Sequence, residues 1–289
     1  MSSSLLSGII NIASFNNYDL GEYGTSYSNR INNMGECLEY YVKDALADSF
    51  EVENKNDKYE IHSGVFSYLG NQNNPPDAIL RNGDAFEVKK LESPYTDLAF
   101  SNYPPKNRLY QGDPRMNSGC RKCDGANWRN KDIYYVVGYV PKNAKVLRYI
   151  FFVHGVCYAA DPEIYYKLHQ RFREGTDTVL NSSDYETSNT SELGKIHRVD
   201  PLGITYLRIR GLWYIANPIK VFEYVYNWNE NSMFSLFALV EKSKYYSYPR
   251  QDIDSIEAHD LIAVQDCLVK DPNNPTNRIA AKLITCTLY

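Results

Sequence analysis

The sequence predicts a single α/β domain, and three observations support this class. Two neighbouring strand-like runs, residues 77–80 and 85–89, are apolar on both faces, as in a sheet that is covered on both sides. Apolar residues recur at helical spacing from about residue 30 to 48, which is typical of an amphipathic helix packed on such a sheet. No internal repeat and no interdomain linker divides the 289 residues, so one core is expected.

Further elements follow from the same patterns along the chain. Alternating or continuous apolar runs predict strands at residues 62–69, 133–140, 146–153 and 204–209, and helical spacing predicts a helix at 163–173. The apolar runs 221–226 and 234–240 fit either type of element. The polar stretch 175–191 predicts a loop. Residues 93–129 form a loop too long for a simple connection, so we expect it to be functional.

Charge and composition restrict the classes of function. The net charge is −4, but residues 101–150 carry ten Lys/Arg against three Asp/Glu. A basic face on an acidic body suits DNA held in a cleft, although evenly solvated charge explains the same counts. No stretch approaches the ~20 apolar residues of a membrane helix. The N-terminus lacks the basic segment of a signal peptide, and six scattered cysteines do not form a disulfide framework, so we expect a cytoplasmic protein.

A strong turn signal, Asn82-Gly83, joins the two central strands, because both residue types accept a positive φ. A two-residue loop would place Asp77 opposite Val88. A three-residue loop, with Gly83 in the left-handed conformation of a bulge, pairs Leu80 with Asp84 instead. We predict the three-residue loop.

With that loop, Asp77 lies opposite Glu87, and Lys89 follows two residues later on the same face. Carboxylates hold a hard divalent cation through their oxygens. The cation polarises a phosphoryl group and makes hydroxide available near neutral pH, while an ammonium orients the water or stabilises the transition state. The three side chains therefore indicate phosphodiester cleavage. The alternative is a solvated hairpin with ordinary surface charges, although charges in buried strands are costly unless they are paired or metal-bound.

The motif Pro76-Asp77 with Glu87-Val88-Lys89 resembles the PD-(D/E)xK nuclease superfamily. Longer stretches, spread from about residue 31 to 226, resemble the NgoPII-like type II restriction endonucleases, with the last sixty residues less clear. These stretches are Asn33-Met34-Gly35-Glu36, Phe66-Ser67-Tyr68-Leu69-Gly70-Asn71, Asn74-Pro75-Pro76-Asp77-Ala78, Glu87-Val88-Lys89-Lys90 and Asp200-Pro201-Leu202-Gly203-Ile204.

The resemblance implies a restriction-endonuclease-like fold, in which helices flank a mixed central sheet that carries family-specific insertions. The catalytic core is then expected at about residues 30–160, and DNA recognition and C-terminal elaboration at about 161–289. It also implies a homodimer that requires Mg²⁺ and cuts both strands of a short palindrome, with GGCC as the site associated with the group. In the cell, a DNA methyltransferase of the same specificity is the expected functional partner.

The same resemblance implies roles for individual residues. Asp77 and Glu87 ligate Mg²⁺ together with the carbonyl of Val88, and Lys89 positions the attacking water. Related nucleases often add a carboxylate from a helix. We assign that role to Glu39, which lies at the edge of the apolar stripe of the predicted helix.

Two alternatives to this helical carboxylate remain open on the sequence. Glu36 belongs to the same helix but falls well outside its apolar stripe. Glu39 also has Lys43 four residues on, the spacing of an ordinary surface ion pair.

Arg208 and Arg210 flank Ile209 and therefore share one face of a strand. Two guanidinium forks suit the O6 and N7 atoms of guanine in a G/C-rich site. Phosphate clamping, or structural pairing with Asp200 and Glu223, are the alternatives. Phosphate contacts are also expected from Arg198, Lys195 and Lys90.

Cys120-x-x-Cys123 has half the spacing of a zinc site. If residues 133–140 and 146–153 pair antiparallel, His154 and Cys157 come near these cysteines and would complete a structural Zn²⁺ site. Alternatively, His154 and Cys157 belong to the core.

Two further functions remain open beside a restriction enzyme. One is another nuclease on the same core, acting in repair or on DNA structures. The other is a catalytically silent DNA-binding protein, although such a protein has no physical need to retain buried acids and a lysine.

Overall fold

The structure is a computed structural model that describes residues 3–21, 34–71, 74–101, 104–113, 116–125, 127–181, 186–187, 194–197, 202, 206–209 and 211–289. Its helices are α1 (Leu5–Phe15), α2 (Met34–Ala47), α3 (Lys55–Val65), α4 (Ser118–Lys122), α5 (Gly155–Tyr158), α6 (Pro162–Asn181), α7 (Pro218–Val221), α8 (Lys242–Tyr245) and α9 (Arg250–Glu257). Its strands are β1 (Phe66–Asn71), β2 (Asn74–Leu80), β3 (Ala85–Leu91), β4 (Leu98–Ser101), β5 (Arg108–Tyr110), β6 (Asn130–Tyr139), β7 (Tyr149–His154), β8 (Glu186–Thr187), β9 (Gly194–His197), β10 (Leu207–Ile209), β11 (Leu212–Ile215), β12 (Phe234–Glu241), β13 (Ala263–Lys270) and β14 (Arg278–Leu288).

A mixed sheet forms the centre of the molecule. Its strand order is β1-β2-β3-β6-β7-β12-β14-β13, and β5 pairs in addition with β6. The pairs β3–β6 and β7–β12 are parallel, and the remaining neighbours are antiparallel. Helices flank this sheet, which confirms the predicted restriction-endonuclease-like α/β class.

Alternating side chains of the central strands contribute to two apolar layers, because successive residues of a strand point to opposite faces. Phe86 and Val136 join one layer, which includes the apolar stripes of α1 and α2. Ala85 and Val137 join the other, which lies under the long loop that precedes β6. The central strands are thus covered on both faces, as their continuous apolar character predicts.

The predicted helix at about residues 30–48 is present as α2, and residues 31–33 lie outside the described ones. Helix α1 has no counterpart among the predicted elements. Its start is nevertheless encoded, because Ser4 and Ser7 form a reciprocal capping box at its N-terminus.

The prediction of a strand from residue 62 is wrong for its first four residues, which complete α3. A buried ionic contact explains the difference. His62 Nε2 lies 2.7 Å from Asp44 Oδ1, and Lys58 Nζ lies 2.6 Å from Asp44 Oδ2. Asp44 belongs to α2, so this network ties α3, which has no counterpart among the predicted elements, to the neighbouring helix.

The predicted loop at residues 175–191 is wrong at its start, because α6 continues to Asn181. The hydroxyls of Thr176 and Thr178 bond back to the carbonyls of Phe172 and Glu174 and so fit the extended helix. Residues 186–187 form β8, and the rest of that stretch lies outside the described residues.

Strand pairing decides which of the remaining apolar runs form strands. The strand predicted at 204–209 is present as β10, with residues 204 and 205 outside the described ones. Residues 234–240 belong to β12, whereas residues 222–226 follow the short helix α7 without forming a strand. Among the residues that the structure describes, no helix is long and apolar enough to cross a membrane.

Candidate active site

The hairpin of β2 and β3 sets the geometry of the candidate site. Ala78 pairs with Phe86 and Ile79 with Ala85. The amide of Leu80 donates to the carbonyl of Asp84 at 2.9 Å. This register corresponds to a three-residue loop, which confirms the prediction. Continued by one residue, this register puts Asp77 opposite Glu87, where the Asp77 side chain accepts from the Val88 amide.

One detail of the predicted turn is wrong. The positive φ, 56°, belongs to Asn82 rather than to Gly83. Asparagine tolerates the left-handed conformation. Glycine is needed at the next position for a different reason, since a Cβ on Gly83 would lie 2.9 Å from the Cβ of Leu80.

The two acids and the lysine converge at the sheet. Asp77 is 7% exposed and Glu87 is 6% exposed. Lys89 Nζ donates to Glu87 Oε1 at 2.5 Å, and the Val88 amide donates to Asp77 Oδ2 at 2.6 Å. The structure therefore brings Asp77, Glu87, Val88 and Lys89 together, as the hairpin register predicts.

Electrostatics couples Glu39 to this group. Burial raises the pKa of Asp77 to about 8, assisted by the charges of Glu87 and Glu39, while Lys89 and the Val88 amide oppose the rise. Burial also raises the pKa of Glu39, and Lys43 and Lys89 oppose it. The carboxylate of α2 thus acts on the hairpin. Its ion pair with Lys43 is also present, at 3.7 Å, but Lys43 is itself buried, so the pair is not an ordinary surface pair.

The prediction of a loop at residues 93–129 is wrong in part, because this segment contains β4, β5 and α4, and its residues form one wall of the site. A small cavity beside Glu87 is lined by residues that include Phe100, Lys106 and Tyr135. The Tyr135 hydroxyl donates to the Lys106 carbonyl at 2.9 Å, and the Phe100 ring centroid lies 5.3 Å from Lys89 Nζ. Sequence reasoning predicted that residues 93–129 are functional but did not single out these three residues. Tyr135 could have been found only from the β3–β6 register, which pairs it with Glu87.

The donor set fits a hard divalent cation. Two buried carboxylates and the Val88 carbonyl offer the oxygen ligands that Mg²⁺ prefers. Burial is the main cause of the raised pKa values of Asp77 and Glu39, and neighbouring carboxylates add to it; a divalent cation would favour the ionised form of both groups. Within the described ranges, no group of three or more His, Cys, Asp or Glu side chains is placed to hold a metal ion. A cation here would therefore also draw on the carbonyl and on water.

The prediction of a zinc site is wrong. Strands β6 and β7 do pair antiparallel, with Tyr134 opposite His154, but the four predicted ligands do not form a metal-binding group among the described residues. His154 Nε2 lies 3.1 Å from Asp132 Oδ1, and its Nδ1 accepts from the Glu241 amide at 3.4 Å. Cys157 belongs to the core, as the alternative for it stated, and the two other cysteines, Cys120 and Cys123, are buried in the same apolar layer.

We therefore expect purified, chelator-washed protein to contain no stoichiometric zinc. The physical reason is that the four side chains do not form a metal-binding group in the described part of the chain: His154 is bonded to Asp132 and to the Glu241 amide, and the cysteines are buried in an apolar layer. Elemental analysis by mass spectrometry checks this directly. Retention of one zinc per chain that is lost in Cys120→Ser would contradict it.

The residues predicted to contact DNA are only partly described. Arg198 and Arg210 lie outside the described residues. Lys195 belongs to β9, where its Nζ lies 5.4 Å from the ring centroid of Tyr206, and it pairs in register with Arg208 of β10. Lys90 Nζ pairs with Glu92 Oε1 at 2.7 Å near the end of β3.

A mixed sheet whose second and third strands bring two acids and a lysine together defines the scaffold of a PD-(D/E)xK-type nuclease. Comparison with known proteins gives the family. The family model described as NgoPII restriction endonuclease matches residues 3–270. The type II restriction enzyme NgoPII of Neisseria gonorrhoeae is 42% identical over 283 residues, which cover 98% of this chain and 99% of that protein.

This chain belongs to the NgoPII restriction endonuclease family. It is thus a site-specific endonuclease that binds DNA. The family match continues to residue 270, well past the stretches that carried the resemblance in the sequence. No solved structure matches the chain.

Proposed function

We propose that this protein is a homodimeric, Mg²⁺-dependent type II restriction endonuclease that cuts both strands of a short palindromic, G/C-rich site, with GGCC as the first candidate. The observation that carries the proposal is the convergence of Asp77, Glu87 and Lys89 on one buried hairpin. A metal-free role for this group has little support, because two adjacent buried carboxylates repel each other.

In this proposal, Asp77, Glu87 and the Val88 carbonyl hold the cation. Bound there, Mg²⁺ supplies Lewis-acid activation of the scissile phosphate and lowers the pKa of water. Lys89 orients the attacking water and stabilises negative charge on the phosphoryl oxygens. Its present partner, Glu87 Oε1 at 2.5 Å, keeps the ammonium at the site. Glu39 assists from α2 as a carboxylate that accepts a hydrogen bond from water.

Recognition is assigned to the region beyond the catalytic core, which we place at about residues 30–160. Arg208 and Arg210 read guanine, and phosphate contacts come from Arg198, Lys195 and Lys90. The antiparallel pairing of Lys195 with Arg208 supports this assignment, because a two-stranded ribbon fits the major groove. A two-fold symmetric homodimer would match a palindrome and cut one strand with each subunit.

The cellular setting follows from this activity. A nuclease of this kind requires a DNA methyltransferase of the same specificity to protect the host's own sites. We propose that both act in the cytoplasm of a prokaryote.

The proposal is tested by digesting phage DNA with the purified protein and MgCl₂ and sequencing the ends. We expect one recurring palindromic sequence at the cut and no cutting in EDTA. Cleavage confined to junctions or flaps would instead identify a structure-specific nuclease. Sequence-specific retention of DNA without Mg²⁺-dependent cutting would identify a silent binding protein.

A further inference from the structure

A cluster of buried charges holds the turn of the β2–β3 hairpin. Asp84, at the end of the turn, is 4% exposed. Lys244 of α8 donates to Asp84 Oδ1 at 2.5 Å, and the hydroxyl of Tyr248 donates to Asp84 Oδ2 at 2.8 Å. Lys244 and Tyr248 lie more than 150 residues farther along the chain, so a C-terminal segment binds the turn of the hairpin.

The same ammonium also reaches the neighbouring strand. Lys244 Nζ lies 3.2 Å from Asp132 Oδ2 in β6. Asp132 in turn contacts His154 Nε2 at 3.1 Å and forms an ion pair with Arg108. Lys244 therefore connects the end of the turn to the start of β6, the parallel partner of β3.

A second lysine holds the turn at another atom. Lys131 Nζ donates to the carbonyl of Gly83 at 3.2 Å and to Asp124 Oδ2 at 2.7 Å. Two consecutive residues of the turn, Gly83 and Asp84, are thus fixed by ammonium groups from separate parts of the chain.

The charge state of this cluster is defined. Burial lowers the pKa of Lys244, but Asp84 and Asp132 raise it by a larger amount. The net effect is a raised pKa of Lys244. The ammonium is therefore charged at neutral pH. Removing it would leave the buried Asp84 carboxylate without its cation and would take one cation from the partly buried Asp132, a larger perturbation than loss of a surface pair.

The distance from the turn to the candidate site is short. The pairs Ala78–Phe86 and Ile79–Ala85, with the Leu80–Asp84 hydrogen bond, separate the turn from Asp77 and Glu87. Because side chains alternate along a strand, a slip of one residue would send Asp77 to the opposite face from Glu87. Pairing with β1 and with β6 holds β2 and β3 separately, and between β2 and β3 themselves the described residues offer this short ladder and the turn to set the register.

We propose that Lys244 and Asp84 are positioning residues for DNA cleavage, through which the C-terminal segment fixes the hairpin register that brings Asp77 to Glu87. This inference rests on the proposed function of the hairpin. It also assigns a role to residues after 230, whose contribution the sequence did not reveal.

The test compares Lys244→Met with two variants. Lys282→Met is the matched control, because Lys282 is a C-terminal lysine of similar burial, 10% against 17% side-chain exposure, and its ion pair is with Asp266 at 3.2 Å. Lys244→Arg keeps the cation. Rates are measured at saturating DNA and well below the melting temperature of each variant.

We expect Lys244→Met to lower kcat by about 10- to 100-fold, because small misplacement of catalytic groups has effects of this size, while KM for DNA changes by less than about threefold. Lys282→Met should keep kcat within about twofold, and Lys244→Arg should recover most of the rate. An equal loss of kcat in Lys244→Met and Lys282→Met, or none in Lys244→Met, overturns the proposal.

Amide hydrogen exchange gives a readout that needs no cleavage. The amides of Leu80 and Val88 donate hydrogen bonds within the hairpin. We expect these two amides to exchange at least about tenfold faster in Lys244→Met than in Lys282→Met. Unchanged protection overturns the proposal, even if the wild-type protein fails to cut DNA and the proposed function falls separately. If Lys244→Met does not fold, Tyr248→Phe removes one hydrogen bond to Asp84, and the same two measurements decide.

Discussion

Plasmid cleavage in MgCl₂ is expected to disappear in Glu87→Ala and to fall by about 10³-fold in Lys89→Ala. The loss in Glu87→Ala follows from removal of a cation ligand, which leaves Asp77 as the only carboxylate on the hairpin face. The loss in Lys89→Ala follows from removal of the ammonium that lies 2.5 Å from Glu87 and would orient the attacking water. Single-turnover rates on a supercoiled plasmid, with enzyme in excess, measure the chemical step apart from product release.

The helix α2 provides a matched control for these variants. Glu39 acts electrostatically on Asp77, so Glu39→Gln should reduce the single-turnover rate by about 10- to 100-fold. Glu36 lies on the same helix but well outside its apolar stripe, so Glu36→Gln should cleave at the wild-type rate. Full activity in both Glu87→Ala and Lys89→Ala, in folded protein, would remove the site assignment. Equal effects of Glu36→Gln and Glu39→Gln would remove the role of Glu39 alone.

Asp77→Asn is expected to abolish cleavage and yet to stabilise the metal-free protein at alkaline pH. Burial and neighbouring acids raise the pKa of Asp77 to about 8 in the folded protein, against about 3.9 in an unfolded chain. Above about pH 4 the unfolded chain releases the Asp77 proton while the folded protein must keep it, so folding loses free energy, and this loss grows until the pH passes the folded pKa. Asparagine keeps an oxygen that accepts from the Val88 amide but carries no charge, so the cost vanishes.

The gain in unfolding free energy should be about 5 kcal/mol at pH 8 and less than half of that at pH 5, from ~1.4 kcal/mol for each of roughly four pKa units. Urea denaturation in EDTA at the two pH values measures it. Asp97→Asn is the contrasting control, because the hydrogen bond from Lys220 lowers the pKa of exposed Asp97 and its replacement should give no such gain. A gain for Asp77→Asn that is equal at pH 5 and pH 8 would show that Asp77 is not ionised against its environment.

Short stretches of sequence predicted much of the candidate site. The Asn82-Gly83 turn and the alternation of side chains fixed which acids share a face, since both depend on a few consecutive residues. The same information misassigned the left-handed residue, because both Asn82 and Gly83 accept a positive φ and only the contact with Leu80 separates them.

Predictions that required distant segments to meet were less secure. The Cys120-x-x-Cys123 spacing does not reveal which other residues lie near the two cysteines. In the folded structure, His154 lies against Asp132 instead. Helix α6 continues beyond the residues for which the sequence predicts a helix. Helix α3 includes the first residues of a predicted strand because His62 contacts Asp44.

The sequence by itself determined the α/β class, the family, and the hairpin that places Asp77 opposite Glu87. Only the tertiary structure decided that Tyr135 and Phe100 wall the site and that Lys244 grips the turn from 160 residues away. The physical reason is that turn geometry and strand alternation act between adjacent residues. Contacts between distant elements depend instead on how whole layers pack, which no short stretch of sequence specifies.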